Sequence, residues 1–419
     1  MSVRIVQADA REALRELPEN SVHCCVTSPP YFGLRDYGTA TWENGDAECD
    51  HRGAPMRTKA QINANCGTGQ DGKNAEANEF YREICGKCGA RRVDRQIGLE
   101  RTPDDYVDAL TEIFREVRRV LKDDGTLWLN LGDSYAGSMK GIGADGKAYA
   151  GKKQQTNKGA VGISSTLPPS AKDYNLKPKD LIGIPWRVAF ALQADGWYLR
   201  QDIIWSKPNP MPESVTDRCT KAHEYIFLLS KSERYHYDND AIAELITDST
   251  VLRVLQQDTE SQTGSPRANG GAKTNGNMKA VLRKQFDKEM GGGGTSFAGH
   301  SGYRKADGTL LTNGRRNKRS VWEVATVGFA QAHFATFPPK LIEPCIKSGC
   351  PPGGTVLDPF GGAGTTGLVA ERLGRNALLI ELNPEYAAMA ERRIHEDAPL
   401  FTEILPEAPQ ENPDQAKLI

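Results

Sequence analysis

With 419 residues and a formal net charge of −1, the chain has room for one large α/β domain with insertions, or for two domains. Nine cysteines over this length exclude a disulfide scaffold. No apolar run approaches the ~18 residues of a membrane span and no N-terminal leader pattern is visible, so a cytoplasmic protein without a membrane partner is expected. The balanced charge hides a local asymmetry, because residues 241–320 carry 13 Lys and Arg against 7 Asp and Glu. Such a basic stretch suits phosphate contacts.

In chain order, residues 4–9 read as a strand ending in an acid, 11–17 as a short helix stopped by Pro18 and Asn20, and 22–27 as a buried strand. Hydrophobic periodicity then fails across 38–98, where polar residues, glycine and cysteine mark an insert. Thr102-Pro103-Asp104-Asp105 opens a helix, and Tyr106, Leu110, Ile113, Phe114, Val117 and Leu121 give it one apolar face. A turn at Asp124-Gly125 leads to a strand over 126–131. Residues 137–172, rich in Gly, Lys, Gln and Ser, read as a mobile loop. A helix over 185–194, strands over 198–205 and 224–230, and a glycine-broken basic region over 240–320 follow. The segment 321–398 is α/β again, and 399–419 has the composition of a disordered tail. The core is thus expected in three parts, 1–37, 99–239 and 321–398.

Two motifs carry chemistry. Thr27-Ser28-Pro29-Pro30-Tyr31 closes a buried strand with two prolines, which donate no hydrogen bonds but keep their carbonyls as acceptors. An acceptor-rich corner followed by an aromatic ring suits a planar base with an exocyclic amine. That amine is a poor nucleophile, because its lone pair is delocalised into the ring. Ser28 Oγ and the Pro29 carbonyl would take its two hydrogens while Tyr31 stacks on a base flipped out of the duplex. Far downstream, Asp358-Pro359-Phe360-Gly361-Gly362-Ala363-Gly364-Thr365-Thr366 reads as a strand end, a glycine-rich turn and a helix start, the geometry of a nucleotide site at the carboxyl edge of a parallel sheet. Glu381 ends the next strand about 20 residues on, where a ribose-binding acid belongs. A cysteine nucleophile, as needed for methylation at a ring carbon, is not expected, because Cys24, Cys25 and Cys345 fall in core positions.

The pair of motifs resembles the S-adenosylmethionine-dependent N4-cytosine/N6-adenine DNA methyltransferases. Because the base motif comes first, the resemblance is to their circularly permuted beta group. It implies a Rossmann-like class I methyltransferase, a mostly parallel, doubly wound α/β sheet with an antiparallel edge hairpin. It further implies that Asp358, Pro359, Phe360, Gly361, Gly362 and Gly364 line the cofactor pocket, and that Thr365 and Thr366 cap the helix beside the methionine carboxylate. Glu381, with Asn383 after it, would hold the ribose. Phe334, Thr336 and Phe337, in a segment matching the one that closes over methionine, and Asp9, near the adenine ring, complete the set. Lys207 and Asn209, in a strand exit similar to the family's, would border the target base, and His223-Glu224-Tyr225-Ile226 likewise resembles a segment that builds its pocket. Ser-Pro-Pro-Tyr is the family's usual form for N4-cytosine, with N6-adenine as the alternative and an RNA or protein amine as a more distant one.

Within the insert, Cys49-x-His51 and Cys85-x-x-Cys88 have the spacing of a structural zinc site, with Cys66 able to replace one ligand. A target-recognition region is expected in 240–320, where Arg315, Arg316, Lys318 and Arg319 cluster. The partner is then double-stranded DNA in a bacterial or phage-infected cell, with or without a companion restriction endonuclease.

Overall fold

The computed structural model describes residues 2–33, 37, 39–46, 48–49, 84–85, 87–136, 176–245, 315–326, 336–397 and the strand 403–405. β1 (Ser2–Gln7) and β2 (Val22–Thr27) flank α1 (Ala10–Glu16). Asp9 does not extend the first strand but caps α1, accepting from the Arg11 amide at 2.8 Å. Two short strands of the insert, β3 (Thr41–Glu43) and β4 (Arg91–Val93), pair antiparallel and were not foreseen. α2 (Pro103–Val120) opens on a reciprocal capping box between Thr102 and Asp105, both bonds 3.1 Å, and buries the apolar face read from its sequence. β5 (Leu121–Leu131) leaves that helix directly, starting earlier than the expected turn at Asp124-Gly125.

Then come α3 (Ile184–Ala194), β6 (Tyr198–Ser206), β7 (His223–Ser230), β8 (Glu244–Leu245), β9 (Arg315–Arg316) and β10 (Val321–Glu323). The last third supplies α4 (Pro339–Gly349), β11 (Thr355–Asp358), α5 (Thr365–Arg372), β12 (Asn376–Glu381), α6 (Pro384–Asp397) and β13 (Glu403–Leu405).

Nine strands form one sheet in the order β10-β6-β7-β5-β2-β11-β12-β1-β13. Among the described residues of this sheet only β7 runs against its neighbours, and the sheet's other pairings are parallel. Along β5 the side chains alternate, Leu127, Leu129 and Leu131 packing with α1, α2 and α3, and Trp128 packing with α4, α5 and α6 on the other face. This is the doubly wound Rossmann-like sheet expected, with two corrections. The β6–β7 pair is not the edge, because β10 adds in parallel outside β6. Nor is 399–419 wholly without structure, since Glu403–Leu405 pairs with β1 at the opposite edge. Three-residue strands hold too little periodicity to be read locally.

The carboxyl ends of β1, β2, β5, β6, β11 and β12 and the start of β7 share one edge of the sheet, the usual place for a ligand. The chain divides into two compact units, Met1–Tyr237 with Ser320–Ile419, and Asp238–Arg319. In the second, β8 and β9 pair antiparallel. Among the described residues no helix is long and apolar enough to cross a membrane. The readings made for 137–172, for most of 240–320, and for His51, Cys66 and Phe334 lie outside the described residues.

Candidate active site

The two motifs are bolted together by one acid. Asp358, only 1% exposed at the end of β11, accepts from Thr27 Oγ1 and Thr366 Oγ1, each at 2.6 Å, and from the Phe360 amide at 3.1 Å. Burial pushes its carboxyl up to about 6. Thr27 lies 331 residues away, immediately before Ser28, so the carboxylate ties the base corner to the glycine turn. Its oxygens serve that latch while the residue also lines the cavity described below.

Thr365 and Thr366 also differ from expectation, because neither side chain caps α5. The N-cap is Gly364 at φ +75°, and a Cβ there would stand 2.8 Å from the Ala390 Cβ of α6. Thr366 donates to Asp358, while Thr365 Oγ1 accepts from Arg393 Nη1 at 2.9 Å. Glu381, at the end of β12, accepts from the Gly362 amide at 2.7 Å and the Asn383 amide at 2.8 Å. Burial raises its pKa, with those amides pulling the other way. Asn383 caps α6, accepting from the Glu385 amide at 2.8 Å, while its Nδ2 donates to the Tyr37 carbonyl at 3.2 Å.

A cavity of about 180 Å³ opens on this edge. Of the residues assigned to a cofactor from the sequence, Asp9, Thr336, Phe337, Asp358, Pro359, Phe360, Gly361, Gly362, Thr365 and Glu381 line it; Gly364, Thr366 and Asn383 do not. Sequence reasoning missed Tyr37, Thr39, Gln96, Ile97 and Tyr386. The Tyr37 and Tyr386 rings meet edge-on, centroids 6.2 Å apart, and the Tyr37 amide donates to Gln96 Oε1 at 2.6 Å. Tyr386 had a signal, an aromatic in the first turn of the helix after Glu381; Tyr37 and Gln96, at the ends of an irregular insert, had none.

Ser28, Pro29, Pro30 and Tyr31 line the same cavity. The Pro30 carbonyl is taken by the Tyr106 hydroxyl at 2.8 Å, whereas among the described residues the Pro29 carbonyl receives no hydrogen bond. The Tyr31 hydroxyl donates to Glu224 Oε2 at 2.7 Å and stands 3.2 Å from Asn130 Oδ1, with Ser28 Oγ at 3.5 Å. Asn130 Nδ2 donates to the Tyr225 carbonyl at 3.0 Å and toward Glu224 Oε2 at 3.3 Å. Lys207 donates to the other oxygen of Glu224 and lies 4.2 Å from the centre of the Trp205 ring. Burial and the Glu224 charge push the Tyr31 phenol well above its usual range, so it stays a donor.

Lys207 thus belongs to the base corner through Glu224, which lies in the 223–226 segment expected near the target base. Asn209 does not: its side chain is spent on Thr326, donating to the carbonyl at 3.1 Å and accepting from the amide at 2.9 Å. Cys24 and Cys25 are fully buried on β2 and burial raises their thiols well above normal, so neither supplies a thiolate. In the second unit, Arg316, Lys318 and Arg319 surround the Glu244 carboxylate at 3.5, 3.7 and 3.2 Å, and Arg315 pairs with Leu245 across β8 and β9.

One cavity is therefore lined both by Glu381 with the glycine turn and by the Ser28–Tyr31 corner. Direct transfer between a nucleoside donor and an amine needs that continuity, and the class defined by this fold and site is the S-adenosylmethionine-dependent methyltransferases. The chain belongs to the N6/N4 DNA methylase family, whose profile matches residues 22–392. It is 38% identical over 393 residues to the type II methyltransferase M.SmaI of Serratia marcescens, covering 94% of this chain and 91% of that one. The type II methyltransferase M.Cfr9I of Citrobacter freundii is 37% identical over 390 residues, covering 93% of this chain and 87% of its own. Among solved structures, the PvuII DNA methyltransferase, described as cytosine-N4-specific, aligns with a TM-score of 0.47 at 16% identity, over 94% of this chain and 92% of that one.

Proposed function

We propose that this DNA methyltransferase methylates the N4 amine of cytosine in double-stranded DNA, as the modification half of a type II restriction system with a companion endonuclease. The observation that carries the chemistry is the unequal use of the two proline carbonyls. Tyr106 occupies that of Pro30, while that of Pro29 and the Ser28 hydroxyl border the cavity shared with Glu381.

S-adenosylmethionine supplies a sulfonium methyl. The protein holds the amine in line with it: Ser28 and the Pro29 carbonyl accept the two amine hydrogens, and this favours a pyramidal nitrogen with its lone pair aimed at the donor. The Tyr31 ring stacks on the flipped base, its orientation fixed by Glu224, Asn130 and, through Glu224, Lys207. With the cofactor bound, Glu381 would accept from the ribose hydroxyls and Asp9 would border the adenine, both residues lining the cavity. Rate then comes from positioning and electrostatic alignment, with no covalent enzyme intermediate. Ser28 in the first position of the motif supports cytosine, following the resemblance; adenine N6 is the second reading. Target recognition is assigned to 240–320, with Arg315, Arg316, Lys318 and Arg319 on phosphates.

Methylation of mixed-sequence duplex DNA with labelled cofactor, followed by nucleoside mass spectrometry, tests the proposal. N4-methylcytosine is the expected product. N6-methyladenine would overturn the base assignment and keep the mechanism, while label appearing only in single-stranded RNA or protein would overturn the DNA substrate.

A further inference from the structure

Away from the cavity, the insert gathers three cysteines whose sulfurs all lie within 4.8 Å of one another: Cys49, just after β3, and Cys85 and Cys88, just before β4. We propose that these thiolates hold one structural zinc ion that staples the end of the β3–β4 hairpin.

The spacing is that of a metal site. Thiolates about 2.3 Å from a tetrahedral zinc stand about 3.8 Å apart, and the Cys49 and Cys85 sulfurs are 3.9 Å apart. A disulfide would need about 2.05 Å. The backbone is shaped for it as well. The Lys87 amide points at the Cys85 sulfur from 3.4 Å, as suits a sulfur carrying negative charge. Gly89, at φ +74°, lets the chain fold back so that its amide donates to the Cys85 carbonyl at 2.9 Å and the Cys85 amide to the Ala90 carbonyl at 2.7 Å. That is a knuckle presenting both sulfurs of Cys85-x-x-Cys88 to one side.

The hairpin also needs the ion. β3 and β4 pair over only three residues, Thr41 with Val93, Trp42 with Arg92 and Glu43 with Arg91, and none of these is buried. A two-stranded ribbon of that size is marginal in water, and a metal replaces the core it lacks. Thiolates select a borderline or soft ion such as zinc over magnesium or calcium. Methyl transfer from a sulfonium needs no Lewis acid, so the role is structural and stands apart from the methylation reading. Three sulfurs leave one vertex of the tetrahedron for a fourth ligand.

The full-length protein, purified without chelator, is expected to carry one zinc per chain by elemental mass spectrometry. After exchange with Co²⁺ it should show intense visible bands of a tetrahedral site and a sulfur-to-metal charge-transfer band in the near ultraviolet. Cys49→Ser, Cys85→Ser and Cys88→Ser should each lower bound zinc about tenfold, while Cys219→Ser, exposed between β6 and β7, should keep it. A wild-type protein that carries no zinc and shows no charge-transfer band with Co²⁺ overturns the proposal without relying on any variant. So does zinc retained by all three serine variants.

Discussion

Asp358 shows how one buried acid ties two distant motifs together, and its titration gives a test. In the folded protein its carboxyl sits at about 6 against an ordinary value of 3.8. Between about pH 6 and pH 4 the folded chain therefore holds a proton that the unfolded chain has released, and this group adds stability as pH falls through that window. Asp358→Asn removes the effect. The stability of the wild type relative to the variant, from urea unfolding, should rise by roughly 2–3 kcal/mol from neutral pH to about pH 4; a flat difference would mean the carboxylate is solvated. Tyr31 invites a narrower question, whether its hydroxyl or only its ring is used. Tyr31→Phe keeps the stacking face and deletes the donor to Glu224, so kcat should fall about tenfold with the KM for DNA nearly unchanged. Unchanged kcat would leave the ring alone as the working part.

At the scale of elements, the end of β5 sets where the base motif can lie. A Cβ on Gly132 would come within 2.5 Å of Tyr31 Cε2, so the ring occupies space that only glycine leaves open. Gly132→Ala should swing Tyr31 off its partners and lower kcat/KM for DNA about a hundredfold. The affinity for S-adenosylmethionine should stay within about threefold, because Glu381 and the glycine turn are untouched; a parallel loss of cofactor affinity would show the damage to be global. Gly132 could not have been singled out from sequence, since the clash is with a ring about 100 residues upstream. What was legible follows the same logic. The apolar face of α2 repeats every third or fourth residue and its capping box is contiguous, so local pattern suffices. The strands ending at Thr27, Asp358 and Glu381 are short apolar runs stopped by prolines, glycines or polar residues, and could be placed by those stops. The Thr27–Asp358 latch and the three-residue strands β3, β4, β10 and β13 exist only through partners distant in the chain.

For the whole molecule, the question is how regions outside the sheet reach the chemistry. If Arg315, Arg316, Lys318 and Arg319 meet phosphates, replacing all four by Gln should flatten the dependence of log affinity for DNA on log salt. The slope should change by about 0.9 for each phosphate no longer neutralised, with cofactor affinity the same as in the wild type. An unchanged slope would remove them from the interface. The insert offers a sharper case, because its hairpin has two working ends. The cysteines lie at one end. At the other, Tyr37 and Thr39 lead into β3 and Gln96 and Ile97 leave β4, and all four line the cavity proposed to take the cofactor. Those flanks are joined by the Tyr37–Gln96 bond at 2.6 Å and by Thr39 Oγ1 donating to Asp94 Oδ1 at 3.3 Å. An ion clamping the far end would hold both flanks in register, as a staple holds the jaws of a clip. Stripping zinc with a chelator should therefore weaken S-adenosylmethionine binding about tenfold by calorimetry, because the cavity wall must be ordered at the expense of binding. Far-UV circular dichroism should barely change, since the nine-stranded sheet does not depend on the insert. Full cofactor affinity in protein shown to be free of zinc would confine the metal to the insert and leave the wall to Tyr386 and the sheet alone.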